Sequence, residues 1–180
     1  ELHALAMPHA QFSVDVSALD DVRRHGRDRI RFLLTPHPGA KPAPIGEGAS
    51  GGELSRIMLA LEVVLAAANP VPTLVFDEVD AGVGGAAALE IGARLQRLAR
   101  TSQVIVVTHL AQVAAFADHH VQIAKSTDGE VTAATIRELD EAERIAELTR
   151  LLSGLPDSAH GNAHAEELLA LAAKHREQRD

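Results

Sequence analysis

The chain has 180 residues, of which 46% are apolar and 23% charged, a composition typical of a globular protein with one core. Its formal charge of −8 and its scattered basic residues argue against a DNA binder that depends on a basic patch. The absence of cysteine excludes disulfides and thiolate metal sites. The longest apolar stretch, near residues 59–68, contains Glu62 and is too short to cross a membrane.

The first 48 residues predict two edge strands followed by an irregular segment. Apolar residues alternate over 10–17, and a second short apolar run covers 29–34, so we expect two strands joined by a charged turn at 20–28. Residues 35–48 contain four prolines and three glycines, which predicts an extended loop without regular structure.

The middle of the chain predicts a parallel strand–helix–strand unit. Apolar residues at helical spacing indicate a helix over 52–68, ended by Asn69 and Pro70, and another over 85–100. Short apolar runs at 73–76 and 104–107 predict two buried parallel strands, with a right-handed crossover between them. A ligand site is then expected at the carboxyl ends of these strands.

The remainder predicts a hairpin and two helices. Residues 120–126 and 131–139 flank a turn at Thr127-Asp128-Gly129, and helices are expected over 140–152 and 159–176. The whole chain is expected to form one domain, with edge strands and a proline-rich loop at 1–48, the functional core at 49–125, and the hairpin and last helices at 126–180.

Two adjacent acids, Asp77 and Glu78, follow the first predicted parallel strand. One carboxylate can hold Mg²⁺ while its neighbour orients or deprotonates an attacking water. The alternative interpretation is an ordinary pair of capping or loop acids.

A segment of small residues, Gly48-Ala49-Ser50-Gly51-Gly52-Glu53, opens the first long helix. Glycines let backbone N–H groups approach an anion, the helix N-terminus favours negative charge, and Ser50 can donate a hydroxyl hydrogen bond. The alternative is a capping box between Ser50 and Glu53, which needs no ligand and uses the same geometry.

His109 ends the second predicted parallel strand. An imidazole at this place can donate a hydrogen bond to a phosphate, although a lone histidine at a strand end is more often structural.

Together, these three segments resemble the ABC ATPase family. Ser50-Gly51-Gly52-Glu53 is similar to its signature motif, Asp77-Glu78 to the Walker B pair and His109 to the switch histidine, and Asp80 lies where the D-loop follows Walker B. Ser50 precedes Asp77 by 27 positions and His109 follows it by 32, spacings typical of the family. The longer strings at 49–56, 76–83 and 107–114 resemble the SMC-like branch that acts in bacterial DNA repair, and the resemblance extends over about 5–152.

The lysine loop of an ABC ATPase is missing from the chain. A Walker A loop requires Gly-Lys followed by Ser or Thr, whereas Lys41, Lys125 and Lys174 each follow an alanine. In SMC-like proteins the Walker A lobe lies at the N-terminus, separated by a coiled coil that folds back on itself. The resemblance therefore implies half of an ATPase head, an excised or processed piece that begins at Glu1 just beyond the returning coil and packs against its own N-terminal lobe.

The resemblance further implies a dimer of heads that encloses two ATP molecules and drives double-strand-break repair or recombination. Asp77 would hold Mg²⁺, Glu78 and His109 would act in catalysis on the nucleotide of their own head, and Asp80 would lie at the dimer seam. The signature residues would bind the ATP of the partner head in trans (Ser50, Gly51, Gly52 and Glu53). DNA would be bound by the full-length protein in the bacterial cytoplasm, at the nucleoid, without a membrane.

Three other interpretations remain open at this point. Gly48-Ala49-Ser50-Gly51-Gly52 also fits the G-x-S-x-G elbow of α/β-hydrolases, with Asp77 and His109 completing a triad, but no strand is predicted before Ser50. The lobe could instead be a nucleotide-gated dimerisation module of another SMC-like ATPase. His160 and His164, at i and i+4 of a predicted helix, could bind a metal, although no third ligand is evident.

Overall fold

The computed structural model describes residues 1–66, 68, 71–128, 131–156 and 158–177. Strands and helices are mixed along the chain, as expected for an α/β protein, and they alternate from β4 to α4. In chain order they are β1 (Gln11–Arg23), β2 (Gly26–Thr35), β3 (Ala43–Pro44), α1 (Ile45–Gly48), α2 (Gly51–Leu65), β4 (Thr73–Phe76), α3 (Gly85–Leu98), β5 (Gln103–Val106), α4 (Ala111–Ala114), β6 (Val121–Asp128), β7 (Val131–Glu138), α5 (Glu141–Ser153) and α6 (Ala159–Glu177).

The N-terminal strands form an antiparallel ribbon that is longer than predicted. β1 pairs with β2 from Gln11 opposite Thr35 to Arg23 opposite Gly26, with an irregularity after Ala18. The charged segment 20–28, predicted as a turn, therefore belongs mostly to the strands. Backbone pairing at an exposed ribbon end needs no apolar side chains, which is why hydrophobic alternation missed it. The predicted loop is also wrong in part, because β3 pairs with Leu33 and Leu34 and is followed by α1.

The central unit is the predicted parallel pair. β4 and β5 lie in register from Thr73 opposite Gln103 to Phe76 opposite Val106, and α3 connects them. Phe76 packs in the main core with Ile57 and Leu59 of α2 and Ile91 of α3. The helices thus cover one face of this strand pair and fix its carboxyl ends next to the start of α2.

The other face of the pair is open, which corrects the prediction of two buried strands. Val75 and Ile105, which lie opposite each other, are 66% and 47% exposed, and Val107 is 56% exposed. Parallel sheets are ordinarily covered on both faces. Within the described ranges, no element covers these three side chains.

The C-terminal part forms a second apolar cluster. Leu148 of α5 and Leu168 of α6 pack there with Ala111 and Ala114 of α4, a short helix that the sequence did not predict. β6 and β7 pair antiparallel as predicted, but Gly129 of the predicted turn lies outside the described residues, as do Asn69 and Pro70. No helix of the described chain is long and apolar enough to cross a membrane.

Candidate functional site

The two acids stand at the carboxyl end of β4, and both are exposed. Oδ1 of Asp77 accepts a hydrogen bond from the Glu78 amide at 2.9 Å, and the Asp77 carbonyl accepts one from Ser55 Oγ at 2.5 Å. Glu78 adopts φ = 56°, a left-handed conformation that is unusual for a residue with a side chain. This conformation turns the chain sharply after β4, so that the acids leave the strand direction and lie beside α2.

The start of α2 carries the predicted capping box. Ser50 Oγ accepts from the Glu53 amide at 3.3 Å and donates to Glu53 Oε2 at 2.9 Å, while the Ser50 amide donates to the same oxygen at 2.9 Å. The hydrogen bonds from the backbone and the hydroxyl of Ser50 lower the pKa of Glu53. The structural interpretation of these two residues is therefore confirmed, and it leaves Ser50 exposed at the helix end.

The two glycines of this helix start contact the turn after β4. A Cβ on Gly52 would lie 2.8 Å from the Ala81 Cβ and 3.0 Å from the Glu78 carbonyl oxygen, so only glycine allows this close packing. A Cβ on Gly51 would lie 2.6 Å from Glu78 Oε2. The Glu78 carboxylate thus lies against the exposed N-terminal end of α2 in the same chain.

Asp80 joins this turn to the segment after β5. Its side chain is 3% exposed. Oδ2 accepts hydrogen bonds from Thr108 Oγ1 and from the His109 amide, the latter at 3.1 Å, and it lies 3.2 Å from His109 Nδ1. The His109 ring itself is 71% exposed. Asp80, expected at a dimer seam, therefore has its side chain inside the chain, whereas His109 faces solvent.

Arg56 is a residue of the site that the sequence did not single out. It is 6% exposed on the core side of α2, and its Nη1 donates to the Ala81 carbonyl at 2.8 Å. Burial lowers the pKa of its guanidinium. Helical spacing could have indicated that Arg56 is buried. It lies four places after Gly52 and three before Leu59, and therefore on the buried face of the helix.

The structure brings the sequence-predicted residues to one edge but does not form a hydrolase triad. Ser50 follows the helical turn α1 and not a strand, its hydroxyl is engaged by Glu53, and His109 contacts Asp80 where a triad would use Asp77. The α/β-hydrolase interpretation is therefore wrong. Among the described side chains, no group of three metal-ligating residues is present, so His160 and His164 lack a third ligand there.

Known bacterial proteins resemble this chain over most of its length. The chain is 54% identical over 184 residues to the DNA repair protein RecN of Streptomyces coelicolor, a match that covers 96% of the chain and 32% of that protein. The chain belongs to the RecN family. RecN proteins of Deinococcus radiodurans and Vibrio cholerae are 46% and 42% identical over 94% and 95% of the chain. In both cases the chain covers about a third of the relative, 29% and 31%.

Two solved structures share the fold of this chain. The Smc head domain of Pyrococcus yayanosii matches with a TM-score of 0.59 at 23% identity, covering 85% of this chain and 27% of that one. The Smc head domain of Pyrococcus furiosus matches with a TM-score of 0.53 at 24% identity, covering 83% and 35%. No family model matches the chain. The predicted fold class, an α/β arrangement with parallel strands flanked by helices and antiparallel strands at the periphery, is confirmed, and it resembles the fold of these Smc head domains.

Proposed function

We propose that the chain is the C-terminal lobe of an SMC-like ATPase head, which hydrolyses ATP at a head–head interface to drive DNA double-strand-break repair or recombination. The observation that carries the proposal is the convergence at one edge of the parallel strands. Asp77 and Glu78 at the end of β4, His109 after β5 and the start of α2 all lie there. Ligands of open α/β sheets bind at this edge.

The side chains at this edge fit an ATP-bound magnesium ion. Asp77 is exposed and its Oδ1 accepts the Glu78 amide, and carboxylate oxygens at such a place are ligands of the kind that Mg²⁺ prefers. When bound, the ion would neutralise charge on the β- and γ-phosphates. Glu78 would then orient the attacking water and accept its proton at the carboxylate.

His109 has the geometry of a phosphate donor. His109 Nδ1 lies 3.2 Å from Asp80 Oδ2 and the side chain is 71% exposed, so the other ring nitrogen, Nε2, is the one that a phosphate can reach. A donor at this position would stabilise negative charge on the transferred phosphoryl group.

The open face of the strand pair fits a partner lobe. Val75, Ile105 and Val107 form an apolar surface at the level of the site, and the chain spans only about a third of its RecN relatives. The missing Walker A lysine points to the same occupant. We therefore assign this face to the protein's own N-terminal lobe, which would supply the phosphate-cradling loop.

The start of α2 fits the ATP of a second head. Ser50 and Gly51 are exposed, and the helix N-terminus favours an anion. Ser50 would reach the γ-phosphate by moving its hydroxyl hydrogen from Glu53 to a phosphate oxygen, while Glu53 keeps the Ser50 amide. Gly52 would contribute indirectly, because its close packing against Ala81 and the Glu78 carbonyl fixes the start of α2. Because the Asp80 side chain is internal, the seam role would fall to the exposed backbone near Gly82.

The test mixes this chain with the Walker A-bearing N-terminal lobe of the same protein and measures ATP-dependent dimerisation and phosphate release. We expect turnover only from the mixture. Glu78→Gln should keep dimerisation and lower turnover by about 100-fold or more, because the variant loses the group that accepts the proton. Turnover by this chain alone would contradict the half-site assignment.

The second candidate, a nucleotide-gated dimerisation module without catalysis, gives a different result in the same experiment. The mixture would dimerise with ATP but release no phosphate, and Glu78→Gln would then behave as wild type. Unchanged turnover in Glu78→Gln with an active mixture would contradict only the role of Glu78.

A further inference from the structure

Asp80 is a buried carboxylate whose partners all come from one segment. Oδ2 receives the Thr108 hydroxyl and the His109 amide, and it lies 3.2 Å from His109 Nδ1. A carboxylate that is 2% exposed requires such donors, because burial of an unpaired charge is costly. All of these donors belong to Thr108 and His109, shortly after the end of β5.

The network fixes each donor in one orientation. Thr108 Oγ1 also accepts from the Leu110 amide at 3.1 Å, so its own proton is directed to Asp80. The His109 amide and Nδ1 both approach the same carboxylate oxygen, while the His109 side chain as a whole is 71% exposed. Because Nδ1 contacts Asp80, Nε2 is the ring nitrogen that remains for a ligand.

Asp80 is itself held from the opposite side. The Arg56 guanidinium binds the next carbonyl, that of Ala81, and the turn is closed by hydrogen bonds from Ala81 to the Glu78 carbonyl at 3.0 Å and from Val83 to the Asp80 carbonyl at 3.1 Å. Helix α2, through Arg56, therefore fixes the backbone from which the carboxylate projects. The carboxylate can act as a rigid anchor.

We propose that Asp80 is a positioning residue for His109: it holds the ring so that Nε2 faces the γ-phosphate, and it acts within its own head and not as a contact across a dimer seam. The proposal rests on the proposed function for its catalytic consequence. The geometry within the chain does not depend on it.

The kinetic test is a double-mutant cycle in the chain reconstituted with its Walker A lobe. Asp80→Ala should lower kcat by about 10- to 100-fold with little change in KM for ATP, because ring misplacement affects the reacting state most. In a His109→Ala background the same substitution should change kcat by less than about 2-fold. Asp80→Asn, which keeps an acceptor oxygen, should give an intermediate kcat.

Two further measurements keep the outcome clear. Asp118→Asn, an exposed acid that pairs with Arg176, is the charge-matched control and should leave kcat unchanged. In imidazole ¹⁵N spectra of the chain, assigned with His109→Gln, the hydrogen-bonded Nδ1 proton of His109 should be present in wild type and lost in Asp80→Ala. Circular dichroism checks that each variant folds.

Equal losses of kcat in both backgrounds, or an unchanged His109 spectrum in Asp80→Ala, would overturn the positioning role. If Asp80→Asn lost dimerisation and nothing else, Asp80 would act as a contact at the dimer seam and not as a positioning residue. If the reconstituted wild type is inactive while the spectrum responds to Asp80, the proposed function fails and the link between Asp80 and His109 stands.

Discussion

Ser50 and Glu53 combine a structural and a proposed binding role in the same atoms. The capping box satisfies the first amides of α2 without any ligand. Sequence patterns located both residues, because the Ser-x-x-Glu spacing is diagnostic. They could not show that Asp80 is buried or that Glu78 turns towards Gly51, since those orientations depend on contacts between segments that are distant in sequence.

The lowered pKa of Glu53 predicts a pH-dependent contribution to stability. Because the folded-state pKa lies below the ordinary value of 4.5, the contribution is present above pH 4.5 and is lost as the pH falls through the folded-state pKa. Glu53→Gln keeps an acceptor but not the charge, so it should lower the free energy of unfolding by about 0.5 kcal/mol at pH 7.

This difference should vanish at low pH. Urea unfolding followed by circular dichroism is the suitable measurement, because the chain contains neither Trp nor Tyr. Glu62→Gln, farther along α2, is the matched control. A Glu53→Gln deficit that persists unchanged at pH 3 would contradict the assignment.

At the scale of elements, local patterns predicted the central unit well and the periphery less well. β4 begins and ends at the predicted residues, and α2 begins one residue earlier than predicted, because an apolar run and a capping box are local signals. β1 extends through charged residues to Arg23, and α4 has only four residues, so neither produces a recognisable period.

The two glycines of α2 should respond differently to the same substitution. Gly52→Ala brings a Cβ against the Ala81 Cβ and a backbone oxygen, so we expect a loss of about 1–3 kcal/mol in the free energy of unfolding. Gly51→Ala meets only the end of the flexible Glu78 side chain, which can move. Alanine also favours the helix, so this variant should be neutral or more stable by up to about 1 kcal/mol.

Because both changes add one methyl group to the same helix turn, each is the other's control. Urea unfolding of the two variants gives the comparison directly. Equal effects would show that Gly52 is not confined by its contact with the turn after β4.

At the scale of the whole molecule, one face of the strand pair β4–β5 is covered by helices and the other is exposed. Composition and periodicity predicted strands buried on both sides, since a short apolar run is typical of a central parallel strand. The sequence of one segment cannot show which of those faces depends on residues elsewhere in the protein. The exposure of Val75 and Ile105 identifies the face that is not covered by the described part of the chain.

Replacing Val75 and Ile105 by Thr should leave the chain folded but weaken its binding to the N-terminal lobe by about 10- to 100-fold. The substitutions keep β-branched side chains and remove apolar area from the proposed contact. Affinity can be measured by titration calorimetry with the separate lobe.

The control is a second pair of exposed cross-strand neighbours. Ile123 and Ile136 lie opposite each other on β6 and β7 and are 66% and 70% exposed. Their replacement by Thr should not change the affinity. Equal weakening by both pairs would place the N-terminal lobe elsewhere.

The left-handed backbone conformation of Glu78 lowers the stability of the fold at a position where the proposed activity requires a carboxylate. A residue with a side chain at φ = 56° costs about 1–2 kcal/mol relative to an ordinary conformation, and asparagine or glycine would relieve that cost. Selection for stability alone would therefore remove the carboxylate on which the proposed chemistry depends. A stabilised variant of this protein that is to keep the proposed activity should therefore retain glutamate at position 78.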